Sequence, residues 1–260
     1  MDFLSVPVKG LSHTLLLVFL VFLLSDCRQE DTNSDSGLIN VRVRIKHLAG
    51  GKLLVKDQFA FQNAFSQPYA IQSLDYYLSN FKLRNPSQQE FFAEVGSYHL
   101  VNALLNSGET IFTINNVPGK KFSELEFSIG VDSVANSRTD QVGDLDPANG
   151  GMAWDWTTGY KFFALTGRWQ KGTETRPLVF HIGENFNYKT LVFKFSDVAN
   201  SDFEIRKDAE IQLEFDLNEA FQSPDSVNFE NTFDVHSKAS GSGKIANNYA
   251  QGLFRLAGVR

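Results

Sequence analysis

Two kinds of side chain in this sequence could hold a soft metal ion or react with an oxidant. The first are histidines at strand ends beside glycine. His47 runs into Gly50-Gly51, and His181 sits in Val179-Phe180-His181-Ile182-Gly183. Two neutral imidazoles brought to one rim of a fold suit Cu(I), Cu(II) or Zn(II). The second are indoles. Trp154 and Trp156 are two residues apart in Met152-Ala153-Trp154-Asp155-Trp156, which an extended backbone would turn to one face. Such a pair is either a core aromatic pair under a loop or a binding or redox site. Just before it, Asp144, Asp146 and Asn149 could serve a hard cation such as calcium. Their spacing fits no EF-hand, and a hydrogen-bonded Asx-turn loop is the plainer reading. His99 and His236 are the other histidines beyond the N-terminal segment.

These residues must be positioned by strands. Ile39, Val41, Val43 and Ile45 alternate with Asn40, Arg42, Arg44 and Lys46, a strand with one wet face. Tyr69 to Leu83 carries β-formers throughout and is expected to bend once, with a turn at Asn85-Pro86-Ser87. Further strands are expected around Phe91-Phe92, Tyr98 to Val101, Thr110 to Ile114, Phe122 to Val131, Tyr160 to Leu165, Leu178 to Ile182, Leu191 to Phe195 and Ile211 to Leu217. Asn218 to Phe221 reads as one helical turn, and Ile245 to Val259 as a short helix and a last strand. About ten short strands with turns at regular spacing predict an all-β protein: an antiparallel β-sandwich with long loops and few short helices.

Lys and Arg number 24 against 30 Asp and Glu, with no basic run, which argues against nucleic acid as a partner. No Gly-x-Ser-x-Gly elbow, phosphate loop, dinucleotide fingerprint or zinc-protease motif is present, so no enzyme activity is expected.

The N-terminus reads as a targeting segment. Leu15 to Leu24 is an apolar stretch of signal-peptide length, ending at Leu24-Ser25-Asp26-Cys27. Cys27 is the only cysteine, and its place resembles the lipobox of bacterial lipoproteins, although Asp26 stands where a small residue is usual. Residues 1–26 are then a signal peptide, and 27–37 an acidic flexible tether after lipidated Cys27. Residues 38–260 form a single domain. Acylation at Cys27 would attach the chain stably to a membrane. The tether resembles the acidic export tag of surface lipoproteins in Bacteroidetes, which implies the outer membrane, facing the periplasm or the surface.

Several stretches together resemble one family. Asp75-Tyr76-Tyr77-Leu78-Ser79-Asn80 is similar to its YYLSN segment, and Ile129-Gly130-Val131-Asp132 to its IGVD turn. Met152-Ala153-Trp154-Asp155-Trp156-Thr157-Thr158-Gly159-Tyr160 is similar to its Met-x-Trp-x-Trp-x-x-Gly-Tyr core, and His181-Ile182-Gly183 to its His-(Leu/Ile)-Gly strand end. This is the MbnP-like family, named for a methanobactin-associated periplasmic copper-binding protein; the chain resembles its Bacteroidetes lipoprotein branch. The resemblance implies copper bound through histidine, and a tryptophan oxidised to kynurenine by a di-haem peroxidase partner. By position, His181 is the expected ligand, and Trp154 or Trp156 the expected oxidised residue. Ser137 stands where methanotroph-like members carry a histidine, so His47 is the expected second ligand. The competing reading is a surface adhesion module whose Trp-rich loop stacks on carbohydrate or a partner.

Overall fold

The structure is a computed structural model that describes residues 37–138, 140–148, 152–154, 157–236 and 241–260. The signal peptide, Cys27, nearly all of the tether, Asn149, Asp155 and Trp156 lie outside the described residues.

In chain order the strands are β1 (Leu38–Ala49), β2 (Lys52–Leu53), β3 (Phe61–Gln62), β4 (Pro68–Asn85), β5 (Glu90–Ala93), β6 (Tyr98–Asn102), β7 (Glu109–Pro118), β8 (Lys121–Phe122), β9 (Glu124–Ile129), β10 (Lys161–Lys171), β11 (Glu174–Gly183), β12 (Lys189–Lys194), β13 (Phe203–Glu204), β14 (Glu210–Asp216), β15 (Asp234–His236) and β16 (Phe254–Val259). One sheet runs β16-β14-β1-β2, with β7 also on β1; a larger one runs β12-β9-β4-β10-β11-β15; β8 and β13 pair separately. Strand β4 is the spine of the large sheet. Along one side it carries β10 and then β9, along the other β3, β6 and β5.

The all-β expectation holds, with one difference. The pairs β1–β14 and β11–β15 are parallel, and each joins segments far enough apart in sequence to allow the long crossover that parallel pairing needs. The bend expected in β4 is a bulge: Asn80 takes φ of 56° and the register to β9 shifts between Ser79 and Lys82. The turn expected at Asn218 is a 3-10 helix over Leu217–Phe221, and the expected C-terminal helix is Ser242–Gln251.

Alternation along the strands divides the core in two. Val41, Val43 and Ile45 of β1 and Ile211, Leu213 and Phe215 of β14 face Tyr76, Leu78, Phe163, Phe180 and their neighbours across the sandwich. The opposite, outer face of the large sheet carries a second, smaller core. There Tyr77, Phe162 and Ala164 pack under Val131, Leu145, Met152 and Tyr160. A sheet buried on both faces explains why Tyr160 to Leu165 is apolar without alternation.

Candidate functional site

The family-like stretches build that outer core. In β4, Tyr77 points outward and its hydroxyl donates to the carbonyl of Asp144 at 2.9 Å. Ser79 Oγ donates to the carbonyl of Gly130 at 2.8 Å, and Asn80 Nδ2 to the Tyr188 hydroxyl at 2.6 Å. Asp132 caps the helix Ser133–Asn136, accepting from the backbone N–H groups of Val134 and Ala135. It also accepts from the Tyr98 hydroxyl and Asn80 Nδ2. Burial alone would raise the Asp132 pKa, but together these hydrogen bonds hold it below the usual carboxylate value. Gly130, at φ of 110°, lies so close to Phe162 that an added Cβ would meet its ring at 2.5 Å.

The tryptophan stretch folds back onto β10. Trp154 N–H donates to the Gly159 carbonyl at 3.0 Å, and Lys161 N–H to the Met152 carbonyl at 2.7 Å. Trp154 is 8% exposed, with Lys161 Nζ 5.4 Å from its ring centroid. Trp169 is fully buried in the inter-sheet core against Phe229. These two indoles are therefore not the exposed stacking platforms that a carbohydrate-binding reading requires.

The acidic loop is a docking device. Asp144 Oδ2 accepts from Leu100 N–H at 2.8 Å, and Asp146 Oδ1 accepts from Ala148 N–H at 2.9 Å in an Asx turn. The Leu145 carbonyl accepts from the Tyr160 hydroxyl at 2.5 Å. The expected calcium loop is not assembled among the described residues: the two carboxylates bind backbone of different segments, and Asn149 lies outside the description.

The expected His47–His181 pair is not formed. His47 lies on β1 and faces the inter-sheet core, fully buried. Its Nδ1 donates to the Gly108 carbonyl at 3.0 Å, so its Nε2 accepts from the Tyr76 hydroxyl at 2.7 Å. Burial lowers its pKa to about 4 against the opposing Gly108 hydrogen bond, and the ring is neutral. His181 pairs with Ala164, which belongs to the outer core, while its neighbour Ile182 pairs with Phe163 in the inter-sheet core. His181 thus leaves the outer face, and the large sheet separates it from His47. The strand-end position of the two residues is similar; their parity relative to the core is opposite.

The partner that sequence reasoning missed is His236. It stands opposite His181 in the parallel β11–β15 pair, with the ring centroids 5.2 Å apart and the planes at 73°. Two imidazoles on one tetrahedral ion, each bonded at roughly 2 Å, place their centroids roughly 5 Å apart, so this spacing fits a shared ion. A cross-strand row extends from them over the outer face: Asn102, Asp75, Ala164, His181, His236. Burial, Lys161 and His236 together lower the His181 pKa to about 4, Asp234 opposing, which leaves its lone pair free at neutral pH. Burial raises Asp75 to about 6 against the hydrogen bond from Asn102. Asp234 Oδ1 lies 3.0 Å from His236 Nε2. Among the described residues no three His, Cys, Asp or Glu side chains gather into a metal cluster. The donors this pair brings together are imidazole nitrogens, which suit a soft or borderline ion. His99 is elsewhere, bonded to Glu94 at 2.8 Å and stacked on Phe112.

Residues 39–240 match the family model described as MbnP. Among solved structures the chain is similar to MbnP from Methylosinus trichosporium, at 17% identity and a TM-score of 0.50, over 72% of this chain and 78% of that one. At that identity the likeness is one of fold. No curated protein matches the sequence at a significant level.

Proposed function

The chain belongs to the MbnP family, and from that premise we propose that it is a copper-binding lipoprotein of the cell envelope and not itself an enzyme. The observation that carries this reading is the in-register pair His181 and His236, with rings 5.2 Å apart. The pair replaces His47 and His181 as the metal site. Copper bound there would be held as a soft cation by nitrogen donors. His181 is already unprotonated, so binding displaces no proton from it near neutral pH. Lys161, whose charge acts on His181, also lies over the Trp154 ring, 5.4 Å from its centroid.

The lipid on Cys27 would tether the domain at the outer membrane. Trp154 or Trp156 is the residue for oxidation to kynurenine by a di-haem peroxidase partner. Trp169, enclosed in the inter-sheet core, is not.

The test is a Cu(I) competition titration of the purified domain beginning at residue 38. One ion per chain is expected, with His181→Ala and His236→Ala each weakening it at least tenfold. Unchanged affinity in both variants removes this site.

A further inference from the structure

The outer core gathers four tyrosines, and their hydroxyls meet different partners. Tyr77 donates to the Asp144 carbonyl and Tyr160 to the Leu145 carbonyl, while the Tyr188 oxygen accepts from Asn80 Nδ2. Tyr98 alone of the four, among the described residues, donates to a carboxylate, that of Asp132. That carboxylate is fixed in place. Its Oδ1 accepts from the backbone N–H groups of Val134 and Ala135 at 3.1 and 3.3 Å, and its Oδ2 also accepts from Asn80 Nδ2 at 3.4 Å. Against the pull of its burial, these bonds and the one from Tyr98 keep it ionised. An aromatic route leads from the tryptophan stretch to Tyr98. Ala153, next to Trp154, pairs with Tyr160, whose ring lies 5.7 Å from that of Tyr77. Tyr77 and Tyr98 are diagonal neighbours on the outer face, because they stand opposite Leu100 and Ser79 in the β4–β6 pair.

We propose that Tyr98 and Asp132 form a redox-active pair, the place where an oxidising equivalent that enters the outer core comes to rest. The chemistry follows from acidity. A phenol that loses an electron becomes a strong acid, so it is oxidised readily only where a base takes its proton. A peptide carbonyl is too weak a base, which leaves Tyr77 and Tyr160 hard to oxidise. An ionised carboxylate already hydrogen-bonded to the hydroxyl is ready to accept. In the step, one electron leaves Tyr98 for the oxidant and the hydroxyl proton passes to Asp132 Oδ2. The phenol and the carboxylate become a neutral tyrosyl radical and a carboxylic acid, and the oxidant is reduced by one electron. A reductant reverses the step, the proton returning to the phenol oxygen. The oxidant is a metal-centred one-electron oxidant of high potential. Its physiological source is the haem partner of the reading above, on which the inference rests in that respect alone.

The test supplies its own oxidant. The purified protein, carrying ring-deuterated tyrosine, is oxidised by flash-generated ruthenium(III) tris(bipyridyl), and its radicals are read by electron paramagnetic resonance after freeze-quenching. A neutral tyrosyl signal narrowed by the deuterium is expected in the wild type and is expected to be lost in Tyr98→Phe. Asp132→Asn keeps a capping side chain at the start of the helix, since Asn caps as well as Asp, but offers no base. Its tyrosyl signal should rise about a hundredfold more slowly. A Tyr98→Phe signal equal to the wild type overturns the inference, as does an Asp132→Asn rise at the wild-type rate. The two failures read differently. Protein from its own envelope with every tryptophan unmodified removes the haem partner and leaves the pair standing. A wild type that gives no tyrosyl radical under ruthenium removes the pair and leaves the copper reading standing.

Discussion

His181 and His236 meet because β11 and β15 run parallel and in register, which sets two residues 55 positions apart side by side on the outer face of the large sheet. Neither has a neighbour in sequence that would betray the other. The first prediction follows from this pairing. If the two rings share one ion, each alone is a poor site, and the double variant His181→Ala, His236→Ala should bind copper little worse than either single one. Additive losses in a Cu(I) competition titration would mean two separate sites.

His47 is predicted to be structural. Truncation to Ala opens a cavity in the inter-sheet core and leaves the Gly108 carbonyl and the Tyr76 hydroxyl without their partner. The expected cost is about 2–5 kcal/mol in urea unfolding. His47→Gln, which keeps polar atoms near both partners, should cost less. Copper affinity should match the wild type in whichever variant folds, since His47 lies in the inter-sheet core and His181 on the outer face of the large sheet. A tenfold loss in His47→Gln would contradict that placement.

The same ring makes stability depend on pH. His47 takes its proton at about 4 in the fold against 6.5 in a free chain. The unfolded state therefore binds more protons between those values, and stability is lost as pH falls through that window. A shift of this size corresponds to about 3 kcal/mol. His181 acts in the same direction, less strongly because it is partly exposed. Asp75 acts oppositely: its folded value of about 6 lies above 3.8, so the fold holds its proton longer and gains as pH falls. Urea midpoints against pH should fall more steeply on acidification in Asp75→Asn, and less steeply in His47→Gln. A His47→Gln slope equal to the wild type would show that the buried ring does not govern acid sensitivity.

Much of the scaffold was legible because it is local. The alternation of Val41, Val43 and Ile45 with Arg42, Arg44 and Lys46 fixes β1 and its buried face. The stretch Tyr69 to Leu83 declares β4 and a bend in it, but not where the bend falls, which the structure puts at Asn80. The site was half legible. His181 beside Gly183 was found, but its partner was assigned to His47, since position at a strand end says nothing about which face a side chain leaves. Its neighbour in space, His236, sits on a strand of three residues, too short for periodicity to show. The only local signal was Asp234-x-His236 itself, an acid and an imidazole at the spacing that shares a face. In the acidic loop the plainer reading, an Asx turn, holds at Asp146, while the long-range tie of Asp144 was not legible. Asp144 and Asp146 satisfy backbone N–H groups of Leu100 and Ala148, and the first of these is 44 residues away.

Oxidation of a tryptophan, where it occurs in the native protein, is predicted at 154 or 156. Peptide mass spectrometry of protein purified from its own envelope should locate the mass change of kynurenine there. The peptide with Trp169 should be unmodified, because that indole has no exposed surface and has Phe229 and the Arg176 guanidinium near its ring. A modified Trp169 with intact Trp154 and Trp156 would reverse the assignment.

Gly159 is the residue on which the tryptophan stretch turns. Its φ is 116°, a conformation that L side chains rarely adopt, and a Cβ there would come within 2.9 Å of Asn136 Oδ1. Its carbonyl accepts from Trp154 N–H, and Asn136 Oδ1 accepts from the next N–H, that of Tyr160, at 2.8 Å. Gly159→Ala must therefore either strain the turn or push Asn136 away, at a cost of about 1–3 kcal/mol. The damage should be local. Trp154, 8% exposed, loses its backbone tie and gains water, while Trp169 at 0% keeps its surroundings, so the indole emission should shift to the red only in part. Gly51 is the control: its φ of 76° is also left-handed, but nothing lies within 4 Å of an added Cβ. Gly51→Ala should thus carry the backbone strain with no change in emission. If the two variants gave the same spectrum, the turn at Gly159 would not be what seats Trp154 beside Lys161.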